Sequence, residues 1–323
     1  MPTGITRRAA LGLLLATPSL DLRAAAAWPN RPIRFISPFA PGGPQEVPGR
    51  IIADHLSQRL GQPVLIETRP GAGSALGSQL VARETDGHTF LLTTTSFATL
   101  PALRKDPGFD PFEDLLPVTL VSESSLLLAC RATAPFADFT SLLAQAKADP
   151  GRFSLGSAGI GSSTHLAMEL LQASAAIRLL HVPYRGVPVS LTALLAGDID
   201  LWLGDVSIAA EQLRGGRLRA LAVTSAGRSP ALPETPAIGE SIPGYAVPFW
   251  FALLTGRATP PEAIALVLQT LAPLRAPDSP LARRMTELGA TLLLTGPAAL
   301  TARLRLEVPQ WKQVAAAAGI TPE

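Results

Sequence analysis

Pro32-Ile33-Arg34-Phe35-Ile36-Ser37, closed by Pro38-Phe39-Ala40-Pro41-Gly42-Gly43-Pro44, opens the stretch that decides the fold. The apolar run reads as a strand, and the Pro/Gly cluster ends it in a turn. Ile52, Leu56 and Leu60 then recur at helical spacing until Gly61 stops the period. Val64-Leu65-Ile66-Glu67 is a second strand and Arg69-Pro70-Gly71-Ala72-Gly73 a second turn. A helix follows through Leu80 and Val81, then a third strand, Phe90-Leu91-Leu92-Thr93. Strands joined by helices predict a mostly parallel sheet with helices on both faces, because a parallel return needs a long crossover.

The rhythm resumes downstream. Leu126-Leu127-Leu128-Ala129, Phe153-Ser154-Leu155-Gly156, Leu179-Leu180-His181-Val182, Ile199–Leu203, Leu218–Val223 and Pro248–Leu254 read as strands. Helices are marked by Leu166, Leu170 and Leu171, and by Pro188–Leu195 with Gly197 at its end. Residues 261–319 read as mainly helical. A chain of 323 residues exceeds what one core usually serves, so two domains are expected. No low-complexity linker separates them, so two α/β lobes share the chain by crossing between them.

The N-terminus carries an export signal. Arg7-Arg8 precedes the apolar run Ala9–Ala16, and the small residues Ala24–Ala27 precede Trp28. The run is far shorter than the ~20 residues that span a bilayer. Thr6-Arg7-Arg8 fits both a twin-arginine signal and the basic end of a general secretory signal. The segment 1–27 holds Arg7, Arg8 and Arg23 against Asp21. Removing it from 27 basic and 25 acidic residues leaves a formally neutral chain with no nucleic-acid footprint. Cys130, the single cysteine, allows no internal disulfide and reads as a buried, inert thiol.

Catalytic signatures fail on spacing. Gly159-Ile160-Gly161 begins a dinucleotide fingerprint, but its last position is Thr164. Gly71-Ala72-Gly73 lacks the Gly-Lys-Ser/Thr of a P-loop, and Ser157, though followed by Ala158-Gly159, has Leu155 where a nucleophile elbow needs glycine. His55, His88, His165 and His181 show no metal-ligand spacing. No cofactor and no metal are expected.

Two turns survive, each feeding a helix N-terminus: Pro41–Glu46 and Ser157–His165. Such turns expose N–H groups the helix leaves unbonded, and the helix dipole adds partial positive charge there. Together they make an anion site without lysine or arginine. Ser162, Ser163 and Thr164 can cap the second helix or meet a ligand. Either turn alone is what any α/β protein carries; two, one on each lobe, favour binding.

Those residues also carry a resemblance. Trp28-Pro29-Asn30-Arg31-Pro32-Ile33-Arg34, Pro38–Gly43, Arg69–Gly73, Ser157–Ser162, His181-Val182-Pro183-Tyr184-Arg185-Gly186 and Arg219–Ser225, in order from Trp28 to about Gly319, resemble the Bug family. These are TctC-type periplasmic receptors of tripartite tricarboxylate transporters. The resemblance implies a type II periplasmic binding fold, a Venus flytrap of two doubly wound lobes. Lobe 1 would be 28–128 plus 249–323, and lobe 2 would be 129–248. It implies a small organic carboxylate ligand in the interlobe cleft, a monomeric periplasmic receptor, separate membrane permease subunits and no enzymatic activity.

By the same resemblance, Phe39, Gly42, Gly43 and Glu46 would clamp a carboxylate with Ser157, Ala158, Gly159, Gly161, Ser162, Ser163 and His165. Thr94, Thr95 and Asp205 would face the variable end of the ligand, and Tyr184 the rim. Departures are Glu46 for the usual Asp, Pro44, Pro48 and Gly49 crowding the first helical turn, and Leu203-Gly204-Asp205 at the far strand end. Asp205 fits a ligand acceptor and a helix cap equally; His165 leans to a local structural bond. Trp202 and Trp250 read as packing. Two other readings stand beside this one: a periplasmic sensor feeding a histidine kinase, and a hydrolase using Ser157 or Ser162 with His165.

Overall fold

The computed structural model describes residues 28–322 apart from 44 and 318. The export signal read in 1–27 lies outside the described residues. The first half follows the predicted alternation. β1 (Ile33–Ser37) leads to α1 (Glu46–Leu60), then β2 (Val64–Thr68), α2 (Ala75–Arg83), β3 (Thr89–Thr94) and α3 (Ser96–Leu103). Gly61 ends α1 in the left-handed conformation, φ 69°. Pro48 is tolerated in the first turn of α1 because its missing N–H has no helical partner there. Gly49 has a packing reason: a Cβ would lie 2.8 Å from Leu92 Cδ1, so the helix rests directly on β3. β1 pairs in parallel with both β2 and β3.

β4 (Leu115–Arg131) is followed by α4 (Phe139–Ala148), β5 (Ser154–Ser157), α5 (Ser163–Ala175), β6 (Leu180–Pro183), α6 (Val187–Ala196), β7 (Leu201–Asp205), α7 (Val206–Arg214) and β8 (Leu218–Val223). Here β5 pairs in parallel with β6 and β7. The remainder is α8 (Ile238–Ser241), β9 (Pro248–Gly256), α9 (Pro261–Leu271), α10 (Pro280–Glu287), β10 (Thr291–Thr295) and α11 (Pro297–Ala317).

The sheet is mixed rather than mostly parallel. β9 runs antiparallel to β3 and β4, and β4 runs antiparallel to β7, β8 and β10. The reason is β4, which spans 17 residues and serves both halves. Through Ser125 it pairs with β9; from Leu126 it pairs with β7 and β8. The chain returns where Val247 N–H bonds the Thr224 carbonyl and Pro248 begins β9. Residues 261–319 are mainly helical as read, with β10 an added strand inside them. The run Thr291-Leu292-Leu293-Leu294-Thr295 adds to β4 as an antiparallel strand.

The main core joins both halves. Leu91 and Phe97 belong to the same buried cluster as Leu155, Leu166, Trp250 and Leu304. α11 packs against α3, β4 and α5. No helix among the described residues is long and apolar enough to cross a membrane.

Candidate ligand-binding site

A cavity of about 510 Å³ lies at the carboxyl ends of the parallel strands of both halves. One wall comes from the loops after β1, β2 and β3: Phe39 to Pro41 with Gly43 and Gln45, Pro70 to Ser74, and Thr94 with Ser96. The other comes from the loops after β5, β6 and β7: Ala158 to Ile160, Ser162 to Thr164, Arg185 to Val189, and Asp205. Leu126 of β4 and Phe249 of β9 complete it where the crossing strands meet. Open α/β sheets place their crevices at such strand ends because the helices restart there, N-terminus first. α1, α2, α3, α5, α6 and α7 all begin beside this cavity.

The charge on the wall is sparse. Among the described lining residues only Arg185 and Asp205 are ionisable, and Arg185 is exposed. Main-chain donors fill the gap. The loop after β5 bonds to itself: Ala158 N–H donates to Thr164 Oγ1 (2.9 Å) and Gly159 N–H to Ser157 Oγ (3.1 Å). Ser162 caps α5 by accepting from His165 N–H. Among the N–H groups this leaves over are those of Ser163 and Thr164, the first two of α5. α6 offers a second pair, Val187 and Val189, since Pro188 between them has no N–H. All four residues line the cavity.

Residues 49–286 match the family model described as tripartite tricarboxylate transporter family receptor. The chain belongs to that family. The receptor is 32% identical to periplasmic binding protein BugD, covering 92% of this chain and all of that one, with a TM-score of 0.84. Rpa4515 of R. palustris, solved with adipate, is 30% identical over 92% of this chain and 100% of its own, with a TM-score of 0.85. MatC from Rhodopseudomonas palustris, solved with bound malate, is 29% identical over 88% and 99%, with a TM-score of 0.81. The receptor therefore has the two-lobed type II periplasmic binding fold, with the cavity in its interlobe cleft.

Of the residues anticipated from sequence, Phe39, Gly43, Thr94, Ala158, Gly159, Ser162, Ser163 and Asp205 line the cavity. Seven others do not. Gly42 and Glu46 satisfy each other: the Glu46 carboxylate accepts from Gly42 N–H at 2.7 Å and pairs with Arg50 at 3.2 Å. The Gly42 amide is thus taken by the protein's own anion and is not free for a ligand. Thr95 is consumed by β9, accepting from Trp250 N–H at 2.9 Å and donating to the Pro248 carbonyl. Tyr184 turns inward, its ring edge over Gly156.

Ser157, Gly161 and His165 form a buttress under the loop. Gly161 N–H donates to His165 Nδ1 (3.3 Å), which leaves the ring proton on Nε2, 3.6 Å from Glu169. The His181 ring stacks on His165 with centroids 4.2 Å apart, and its Nε2 meets Ser157 Oγ at 2.7 Å. Burial, and then the neighbouring His165, pushes the His181 pKa down to about 4, against the opposing pull of Glu169. The base beside Ser157 is therefore His181, not His165. Ser157 is fully buried and off the cavity wall, and His181 has no carboxylate hydrogen-bonded to it among the described residues. Ser162 Oγ is spent on the Gly159 carbonyl and on Thr164. Neither serine meets the geometry of an activated nucleophile.

Asp205 is a helix cap that also faces the cavity. It caps α7, accepting from Ser207 N–H at 2.9 Å, and it lines the cavity. Trp202 and Trp250 are fully buried packing residues; Phe39 and Phe249 are the aromatics that reach the wall.

Sequence reasoning missed Gln45, Ser74, Ser96, Phe249 and the Val187–Val189 amides. Ser74 is the most telling: its Oγ is buried without a partner at the cavity wall. Ala72, Gly73 and Ser74 are consecutively left-handed, at φ 51°, 65° and 89°. Two non-glycine residues held in that region mark stored strain, which composition does not announce. The α6 amides had a legible signal, the Gly186-Val187-Pro188 helix start.

Proposed function

We propose that this receptor is a periplasmic solute-binding protein without catalytic activity that captures a small organic carboxylate in its interlobe cleft. It acts as a monomer and delivers the ligand to separate membrane permease subunits. Lobe 1 takes 28–128 and 249–323 and lobe 2 takes 129–248; the two close about the crossings near Leu126 and Pro248. The observation that carries this reading is the set of four unpartnered N–H groups at the starts of α5 and α6, on a wall with one exposed cation. Each helix start adds about half a positive charge. A carboxylate accepts charge-assisted bonds from such amides, so it is held without a buried lysine or arginine. The adipate and malate found with Rpa4515 and MatC support the same ligand class.

A thermal-shift screen against mono-, di- and aromatic carboxylates tests it. At least one acid should raise Tm, by an amount set by its saturation. Ser163→Pro then removes one donor without bending the helix, because Ser163 is the first residue of α5 and Ser162 before it is extended. Losing one hydrogen bond to a charged group is worth roughly 1.5–3 kcal/mol, about a ten- to hundred-fold drop in affinity. A screen in which no carboxylate shifts Tm, or a variant that binds as before, would reject the reading.

A further inference from the structure

We infer that Asp205 fixes the far end of the ligand: the receptor selects a monocarboxylate whose opposite end carries a hydrogen-bond donor, hydroxyl or ammonium, and rejects a second carboxylate. This rests on the carboxylate-capture reading above and adds to it a direction and a charge count.

Strand order supplies the direction. Across the second wall the order is β4, β7, β5, β6. Asp205 ends β7, the strand next to the crossing strand β4, whereas the α6 amides follow β6 at the outer edge and the α5 amides follow β5 between them. Arg185 belongs to the outer side, because it follows the edge strand β6. A carboxylate held at the α5 and α6 starts therefore points the rest of its molecule inward, past Val187, Leu126 and Phe249, to Asp205.

The chemistry of that floor is one-sided. Asp205 is 4% exposed. Its Oδ1 accepts from the Ser207 N–H and hydroxyl, and its Oδ2 from Ser124 Oγ at 2.9 Å. Two carboxylate oxygens offer about four acceptor sites, so capacity remains and all of it is acceptor capacity. No lysine, arginine or histidine lines this end among the described residues. Burial raises the Asp205 pKa against the pull of Ser207 and Ser124, the mark of a carboxyl with no counter-charge. A ligand hydroxyl or ammonium meets an acceptor there. A second carboxylate meets a desolvated like charge, a repulsive element that selects as strongly as an attractive one.

Calorimetric titration of the mature protein at pH 7.5 with length-matched acids tests this. Three sets serve: 4-hydroxybutyrate, 4-aminobutyrate and succinate; 6-hydroxyhexanoate, 6-aminohexanoate and adipate; 4-hydroxybenzoate, 4-aminomethylbenzoate and terephthalate. In the set that fits the cleft, the hydroxy or amino acid should bind at least ten-fold tighter than the diacid. Asp205→Asn should cut that ratio at least five-fold. Asparagine caps a helix as well as aspartate does, so an unchanged Tm of the free variant accompanies the result. Diacids binding as tightly as their partners, or a ratio unmoved in the variant, overturns the role of Asp205 and leaves carboxylate capture standing. Failure of every acid to bind overturns both.

Discussion

Gly204 shows how one missing side chain shapes the cleft. A Cβ there would stand 2.1 Å from the Trp202 ring and 2.6 Å from Val187 Cγ1. Trp202 cannot retreat: it is fully buried, and its indole N–H donates to Ser190 Oγ at 3.0 Å. The indole fills the space over the strand end, so the Leu203-Gly204-Asp205 departure noted in the sequence is a packing solution centred on Trp202. Gly204→Ala should destabilise the protein by about 1–3 kcal/mol through overpacking, read as a lower urea midpoint with unchanged m. Other residues were legible as types but not as roles. Glu46 was visible as a longer acid in the first turn; that it would fold back on Gly42 N–H depends on a loop path the sequence does not encode locally. Cys130 read correctly as inert: it is fully buried, and burial pushes its thiol pKa up to about 11.

Elements punctuated by Gly and Pro were the legible ones. β1, α1, β2, α2 and β3 fall where the turns Pro38–Pro44 and Arg69–Gly73 put them, since those residues end strands by backbone geometry alone. β4 was seen only in its apolar part, Leu126–Ala129, because Pro117 and the polar run Ser122–Ser125 interrupt the pattern. β10 was missed because a five-residue apolar run between helices reads equally as helix. α5 shows an element built around its start. Ser162 accepts from His165 N–H while its hydroxyl holds the Gly159 carbonyl at 2.7 Å. Ser162→Ala should cost about 1 kcal/mol of stability, the usual loss of a cap, measurable by chemical denaturation. It should also weaken carboxylate binding, because the loop that presents the Ser163 and Thr164 amides loses its anchor.

At the scale of the whole molecule, the junction of β4, β9 and α11 holds a buried charge cluster. Glu307 of α11 accepts from Trp250 Nε1 at 2.8 Å and meets Arg303 at 3.4 Å, and Arg303 also pairs with Glu123 of β4. Burial raises the Glu307 pKa to about 7, against the Trp250 bond and Arg303, with Glu123 adding to the rise. A carboxyl whose folded pKa is raised favours folding while protonated. Its contribution is lost as pH climbs from about 4.5 to 7, by an amount on the order of 3 kcal/mol. His181, with a depressed pKa, has the opposite sign and loses its contribution as pH falls from about 6.5 toward 4. The Tm of Glu307→Gln relative to the native protein should therefore rise between pH 5 and pH 7 and level off by pH 8. A constant difference across that range would contradict the protonation assigned to Glu307.

The shared strand β4 has a consequence for how the molecule comes apart. Its Leu126–Cys130 segment is the hydrogen-bonding neighbour of both β7 and β8, while Leu115–Ser125 lines up with β9. Excising either half would strip a row of backbone donors and acceptors from the other and leave a raw, self-adhesive margin. The two halves are therefore obliged to melt together.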